Sequence, residues 1–413
     1  MKDILDQNKS SIGLMLLLFL VAFSLPFSFA FNSISLAALF LYSFIYFKKD
    51  YFLTYISNKK VYLFYLLFFI VQSISIYYSN NKELAIKVVT SNILFLIVPI
   101  TFVNLKNKIN EIEIKIAYSG LLIAVLLNLI NSYFNIIRKS IFESMDWSNV
   151  IRENFIRNSI YEIHVPYLAL LVVFLIICSY KIKIPFRKRS NIIIRYSLMA
   201  ILILSLFLLS GIMAILILIL FFIVQFLCSE NSKKTKLFGS ILVIIGIISS
   251  FLLLKHLDDQ KRIRGSENIV YRAQKIISKK DPVREVNWKS VVKVISSNVI
   301  WGVGADGGIE LLQKERPIMS ESYINKHNAH NDYLEIVLRY GIVGICIYLI
   351  ILGSLIKTAF TSNNYYFRWF LIVFMISSLT ESYLQRQVGL VFFVFFSLLF
   401  YTQSTYRKID EIS

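Results

Sequence analysis

The chain has 413 residues, of which 57% are hydrophobic, 15% aromatic and only 17% charged, with a mean hydropathy of +0.65. That composition excludes a soluble globular protein of this length, and apolar runs of membrane-crossing length recur from end to end. The formal net charge of +19 does not require nucleic acid as a partner, because many basic residues cluster in short loops between apolar runs, where they set orientation in a membrane.

Residues 1–10 are short and polar, and no small-residue cleavage site follows them, so the first apolar run is expected to stay as an anchor. The hydropathy pattern predicts twelve spans, at 11–28, 32–47, 61–78, 85–103, 116–134, 164–181, 194–210, 212–228, 238–256, 333–357, 368–384 and 388–403. In lipid every backbone polar group needs an internal partner, so the spans are expected to be helices and the fold an all-α polytopic membrane protein. The basic loops at 48–60, 104–115, 181–191 and 229–236 all fall on one face, which the positive-inside rule makes cytoplasmic. Two long segments, 135–163 and 257–332, then face outward. The chain divides accordingly into residues 1–256 with nine spans, a large outer loop at 257–332, and residues 333–413 with three spans and a short tail.

The three cysteines, Cys178, Cys228 and Cys346, lie in or beside apolar runs, and no disulfide framework is expected. No internal repeat is visible. All four histidines, His164, His256, His327 and His330, fall at or near the outer face. A multi-pass protein that gathers its titratable groups on one side is expected to do its chemistry there.

Within the long outer loop, residues 281–298 are predicted to form a helix. Asp281 can cap it and Pro282 suits its first turn. Arg284, Trp288, Val292 and Ile295 share one face, and Glu285 and Lys289 stand in the favourable i,i+4 order. Trp288 can anchor this helix at the membrane interface and hold Arg284 beside it, or Arg284 is an ordinary solvated charge. "WGVGADGG" (301–308) places Gly302, Gly304 and Gly307 as G-x-G-x-x-G. A dinucleotide site needs a βαβ unit around that motif, which this loop has little room to supply, so a tight turn toward the membrane surface is expected.

His327 and His330 precede the tenth span. They are spaced for a partial metal site, but zinc needs at least a third protein ligand and no strong ligand motif supplies it. Neutral histidine also suits proton transfer near neutral pH. The N-terminus of the following helix favours a nearby phosphate. Glu335 and Arg339 form an i,i+4 pair inside the span, where ionisable residues are functional candidates, and Gly341 and Gly344 are spaced for close approach of a second helix. The plainer alternative, that His330 and Asn331 only cap a helix at the headgroup layer, is the reading that periodicity alone favours.

His330-Asn331 followed by Gly341-x-x-Gly344 resembles the signature of the O-antigen ligase and polymerase superfamily. Arg284-x-x-x-Trp288 with Gly302-x-Gly304 is similar to that family's large periplasmic loop. The resemblance is close over residues 281–350 and looser over the pattern of spans. It implies a GT-C-like glycosyltransferase of the bacterial inner membrane with its active site facing the periplasm. It implies a glycan on undecaprenyl diphosphate as donor, and lipid A–core or another glycan as acceptor. It implies no metal and no cofactor. On that resemblance His330 is the general base and Arg284, with Arg272 or Arg264, holds the diphosphate. Asn331, Trp288, Glu335, Arg339, Gly341 and Gly344 support them. Many relatives carry an arginine at the outer end of a middle span, where this chain has "LLSGIMAIL" (208–216) and none; Arg157 and Arg386 are candidates to replace it.

A ligase, a polysaccharide polymerase and a protein O-oligosaccharyltransferase share this chemistry, and nothing in the sequence separates them. A transporter or flippase also suits twelve spans. It would be expected to carry charged residues and helix breaks near the midplane in paired halves, whereas the polar groups here gather at the outer ends.

Overall fold

The computed structural model describes residues 2–49, 59–142, 163–181, 188–209, 211–228 and 282–410. The described residues form α-helices, two short 3₁₀ turns and connecting loops, with no strand among them. In chain order the first helices are α1 (Lys2–Ser24), α2 (Phe29–Ser43), α3 (Lys60–Ile74), α4 (Lys82–Ser91), α5 (Leu94–Asn104) and α6 (Glu111–Phe142). Next come α7 (Val165–Lys181), α8 (Lys188–Leu208) and α9 (Ile212–Cys228). The remainder are α10 (Pro282–Ser296), α11 (Ile309–Glu315), α12 (Glu321–Ile324), α13 (Asp332–Thr361), α14 (Tyr365–Ser377) and α15 (Gln387–Asp410).

Among the described residues, five segments are long and apolar enough to cross a membrane: Phe29–Tyr46, Lys82–Asn104, Glu111–Asn135, Asp332–Thr361 and Gln387–Thr405. Six shorter apolar helices fall on other predicted spans. The protein is therefore an all-helical polytopic membrane protein. The predicted ninth span, 238–256, lies outside the described residues.

Local chemistry sets several helix starts. Ser28, Asn81 and Asn364 each accept a hydrogen bond from the amide three residues on, which satisfies one of the orphan donors at the head of α2, α4 and α14.

The chain divides into two compact units, residues 1–124 with 282–413, and residues 125–281. In the second, α7 is buried along almost its whole length, with α8 and α9 packed on it. Gly211 lies against Ala169, where an added Cβ would come within 2.8 Å of the alanine side chain.

In the first unit α15 is the buried axis, contacted by α5, α13 and α14, while α3 packs on α5 and α13. The core is aromatic; Phe374 and Phe393 stack with ring centroids 4.6 Å apart. Two of its buried tyrosine hydroxyls find partners on α15. Tyr65 bonds Ser397 and Tyr62 bonds Thr402, each at 2.8 Å, so their burial leaves no polar group stranded. Large apolar side chains such as Ile34 and Leu41 point outward, as expected where the surrounding solvent is lipid.

The long α13 is broken. Gly341 has φ 61° and ψ −159° inside it, a conformation that L-residues with a Cβ rarely adopt. The break is a geometric necessity. A straight helix of 30 residues would be about 45 Å long. Its first residue nevertheless donates from Asp332 N to Ser378 O at 2.9 Å. The chain returning from Thr361 to Ser378 contains the 13 residues of α14, about 20 Å, plus four linking residues that reach at most about 14 Å. The ends meet only if α13 bends.

The glycine loop completes the broken backbone. Val303 N and Gly304 N donate to Leu338 O and Arg339 O, at 2.8 and 3.0 Å, while Ile342 N donates to Val299 O at 2.8 Å. Groups that the break deprives of helical partners are thus satisfied from outside the helix. Gly302, Gly304 and Gly307 all have positive φ, in keeping with a turn and not a nucleotide loop. The expectation that Gly341 admits a second helix is corrected. What approaches it is the loop itself, and a Cβ there would sit 2.1 Å from Ile300 O. At Gly344 an added Cβ would meet Tyr340 of the same helix at 2.3 Å. A second, smaller apolar core of Val291, Val294, Val303, Leu312, Ala329 and Leu338 ties α10, the glycine loop, α11 and the first half of α13 together.

Candidate active site

The site lies at the head of α13, within the first unit. Asn331 caps that helix, its Oδ1 accepting from Leu334 N at 3.0 Å. Its amide nitrogen side chain donates to Leu379 O, and its backbone N to Ser382 Oγ, both at 3.0 Å. Asp332 is fully buried and receives Tyr383 N at 3.1 Å and Leu384 N at 2.9 Å. The head of α13 is therefore bonded directly to the turn between α14 and α15.

That turn brings Glu381 to His330. His330 Nδ1 stands 3.1 Å from Glu381 Oε1, with the imidazole 28% exposed and the carboxylate 9%. A carboxylate at Nδ1 selects the tautomer that carries its proton there and leaves Nε2 with a lone pair. His330 itself has φ 45°, a left-handed backbone that costs a non-glycine residue of the order of 1–3 kcal/mol and clusters at functional sites. Asn328 Oδ1 stabilises it by accepting from His330 N at 3.0 Å.

Arg284 reaches the same turn from α10, donating to Thr380 O at 3.4 Å. His330 and Arg284 thus meet on adjacent residues, Glu381 and Thr380. Trp288 does not need to anchor α10 in the membrane interface to matter here, since its indole Nε1 donates to Ala329 O at 2.8 Å. Asn287 Nδ2 donates to Asn328 O at 2.6 Å. Behind them the buried Arg316 donates to Asn287 Oδ1 at 2.7 Å and to His327 O at 2.5 Å. Consecutive carbonyls 327–329 are thereby clamped from α10 and from the end of α11, which fixes the loop that presents His330.

Glu335 and Arg339 form the expected pair, with Nε and Oε1 2.6 Å apart. They face inward: Glu335 Oε2 accepts from Ala329 N at 2.8 Å, and Arg339 also donates to Ala305 O. They brace the glycine loop and the histidine loop against α13 and do not reach the turn that carries Glu381 in any hydrogen bond they make. His327 packs edge-on to His330, with ring centroids 5.1 Å apart. Burial, and then the neighbouring His330, hold its imidazole below the usual histidine range. His327 therefore stays neutral at neutral pH and places no fixed cation beside His330. Among the described residues no three His, Cys, Asp or Glu side chains cluster as a metal site.

Arg264, Arg272 and Arg157 lie outside the described residues. Arg386 ends the 3₁₀ turn Tyr383–Gln385 and is exposed. Glu381, Asn287 and Arg316 are contacts that sequence reasoning missed. The one available signal was the acid in the polar stretch "TESYLQRQ" (380–387), which overlaps the outer end of the eleventh predicted span on the same face as His330.

Fold and site together define a multi-pass membrane protein with an ordered histidine–glutamate pair and an arginine gathered at one end of its helices. Residues 196–349 match the family model described as O-antigen ligase, so that segment is similar to the O-antigen ligase and polymerase superfamily. The matched segment includes Arg284, the glycine loop, His330 and the break in α13. Members of that family are glycosyltransferase-like membrane enzymes. No curated protein matches the chain.

Proposed function

We propose that the chain transfers a glycan from undecaprenyl diphosphate to an acceptor hydroxyl at the periplasmic face of the bacterial inner membrane, in the manner of an O-antigen ligase. The observation that carries the reading is the bond between His330 Nδ1 and Glu381 Oε1, with Arg284 bonded to the neighbouring Thr380.

In this mechanism Nε2 of His330 takes the proton of the acceptor hydroxyl as its oxygen attacks the anomeric carbon. The bond from that carbon to the diphosphate oxygen breaks, and the diphosphate leaves with the electron pair. Glu381 holds the imidazole in the required tautomer and stabilises the imidazolium that forms. Arg284 meets the charge developing on the diphosphate, a task for which a permanently charged, two-pronged donor is suited. Arg264 and Arg272 are further candidates for that contact. The reaction uses no metal. Lipid A–core is the proposed acceptor, and a second carrier-linked glycan or a protein hydroxyl uses the same chemistry.

The test is transfer by purified protein in detergent from a carrier-linked glycan to each of these acceptors, with and without a chelator. Wild-type protein is expected to transfer equally in both conditions. His330→Ala is expected to lose about 10²–10⁴-fold in rate while inserting normally. Full activity in that variant removes His330 from the mechanism. Transfer only to a second carrier-linked glycan makes the protein a polymerase.

A further inference from the structure

The glycine loop borders a hollow of about 430 Å³ that the mechanism does not use. Tyr78 and Asn80 line it from the turn that follows α3, and Asn298, Trp301 and Gly302 line it from the loop. None of these carries a formal charge, which disfavours a diphosphate. The polar side chains are two amides and the Tyr78 hydroxyl, and the aromatic surface includes a half-exposed indole, Trp301 at 55%. Such a pairing suits a sugar ring, whose C–H face lies on an aromatic plane while its hydroxyls bond amides.

The surface is held in place before any ligand arrives. Tyr78 OH donates to Trp301 O at 2.8 Å, and Asn298 Nδ2 donates to Val294 O at 3.0 Å, which leaves its Oδ1 to accept. Gly302 has φ 72° and packs against the backbone of Arg339 and Gly341. Preorganisation of this kind lowers the ordering cost of binding. The hollow is also tied to the site. Val303 N is bonded to Leu338 O, six residues beyond Asp332 and so about 9 Å along the first half of α13.

We propose that this hollow binds an uncharged stretch of glycan at a distance from the sugar that reacts at His330. The proposal rests on the glycan-transfer reading for its ligand. It assigns Trp301 as the stacking platform and Asn80 and Asn298 as hydroxyl partners.

The probe is the glycan of the transfer assay, released from its carrier by mild acid, with binding to the full-length protein in detergent measured by equilibrium dialysis. Trp301→Ala and Trp301→Leu are each expected to weaken binding about tenfold and to raise KM for the carrier-linked donor by a similar factor, with kcat little changed. Trp301→Tyr, which keeps an aromatic face, is expected to stay within about threefold of wild type, and the exposed Asn80→Ala to lose about threefold. His330→Ala is expected to bind the released glycan as wild type does. Wild-type binding by Trp301→Leu would make the indole a membrane-interface side chain and overturn the proposal. Unchanged binding by both Trp301→Ala and Asn80→Ala, with transfer still lost in His330→Ala, would overturn this site alone and leave the transfer reading standing. Transfer retained in His330→Ala would instead remove the mechanism, whatever the hollow binds.

Discussion

The two halves of α13 share one helix by hydropathy and behave as two structures. Residues 332–340 bury Asp332, Glu335 and Arg339 and give each a set of directional partners. Residues 342–361 turn Tyr348, Ile351 and Leu355 inward and leave Ile342 and Leu349 about half exposed, at 50% and 51%. The first half is positioned by hydrogen bonds whose geometry is narrow. The second is positioned by apolar packing, and its outward face meets a solvent as apolar as itself. A catalytic group needs the first kind of support, because small displacements cost large factors in rate. An anchor in lipid needs only the second.

The contrast is most easily broken at Arg339. Arg339→Met leaves the Glu335 carboxylate buried at 1% exposure without its counter-charge, and leaves Ala305 O without its donor. Removing one member of a buried pair costs about 3–5 kcal/mol. The expected outcome is a large fall in the detergent thermal midpoint, with loss of transfer as the glycine loop detaches. The double variant Glu335→Gln with Arg339→Met is expected to recover much of that stability, since the stranded charge is gone. If the double variant is as unstable as the single one, the pair is not what braces this half.

A smaller effect, read in activity and not in stability, is expected at Glu381. Glu381→Gln keeps the shape of the side chain but loses the charge behind His330. A hydrogen bond to a charged group contributes about 1.5–3 kcal/mol, so transfer should slow by roughly 10- to 100-fold. The loss should fall on kcat with KM for donor and acceptor nearly unchanged, and Glu381→Asp should restore part of it. Equal losses in kcat and thermal stability for Gln and Asp would make Glu381 a structural residue only.

The sequence revealed these halves unequally. Apolar run length predicted the helices, because burial in lipid demands an unbroken apolar stretch, and the cap residue Asn331 was legible from its type and place. The break at Gly341 was not, since a hydropathy window averages across it and a glycine in an apolar run serves equally well for helix packing. The histidine, Arg284 and the Glu335–Arg339 pair stood out as polar groups near apolar runs. Glu381 did not, because its partner is 51 residues away and a contact made through space leaves no local pattern. The same applies to Arg316, whose bonds to Asn287 and His327 exist only once α10 and the histidine loop have packed.

The smallest effect is expected on the outward face of the second half. Leu349→Ala removes an apolar side chain that is half exposed and, in a bilayer, exchanges contact with one hydrocarbon for contact with another. No hydrophobic transfer accompanies that exchange, so the change in stability should stay within about 0.5 kcal/mol and transfer should be unaffected. The measurement is thermal unfolding beside the Arg339→Met variant in the same detergent, with transfer assayed in proteoliposomes. A cost for Leu349→Ala approaching that of Arg339→Met would mean that the outward face is packed against protein. The division of α13 into a bonded half and a lipid-facing half would then fail, because both halves would depend on close fit.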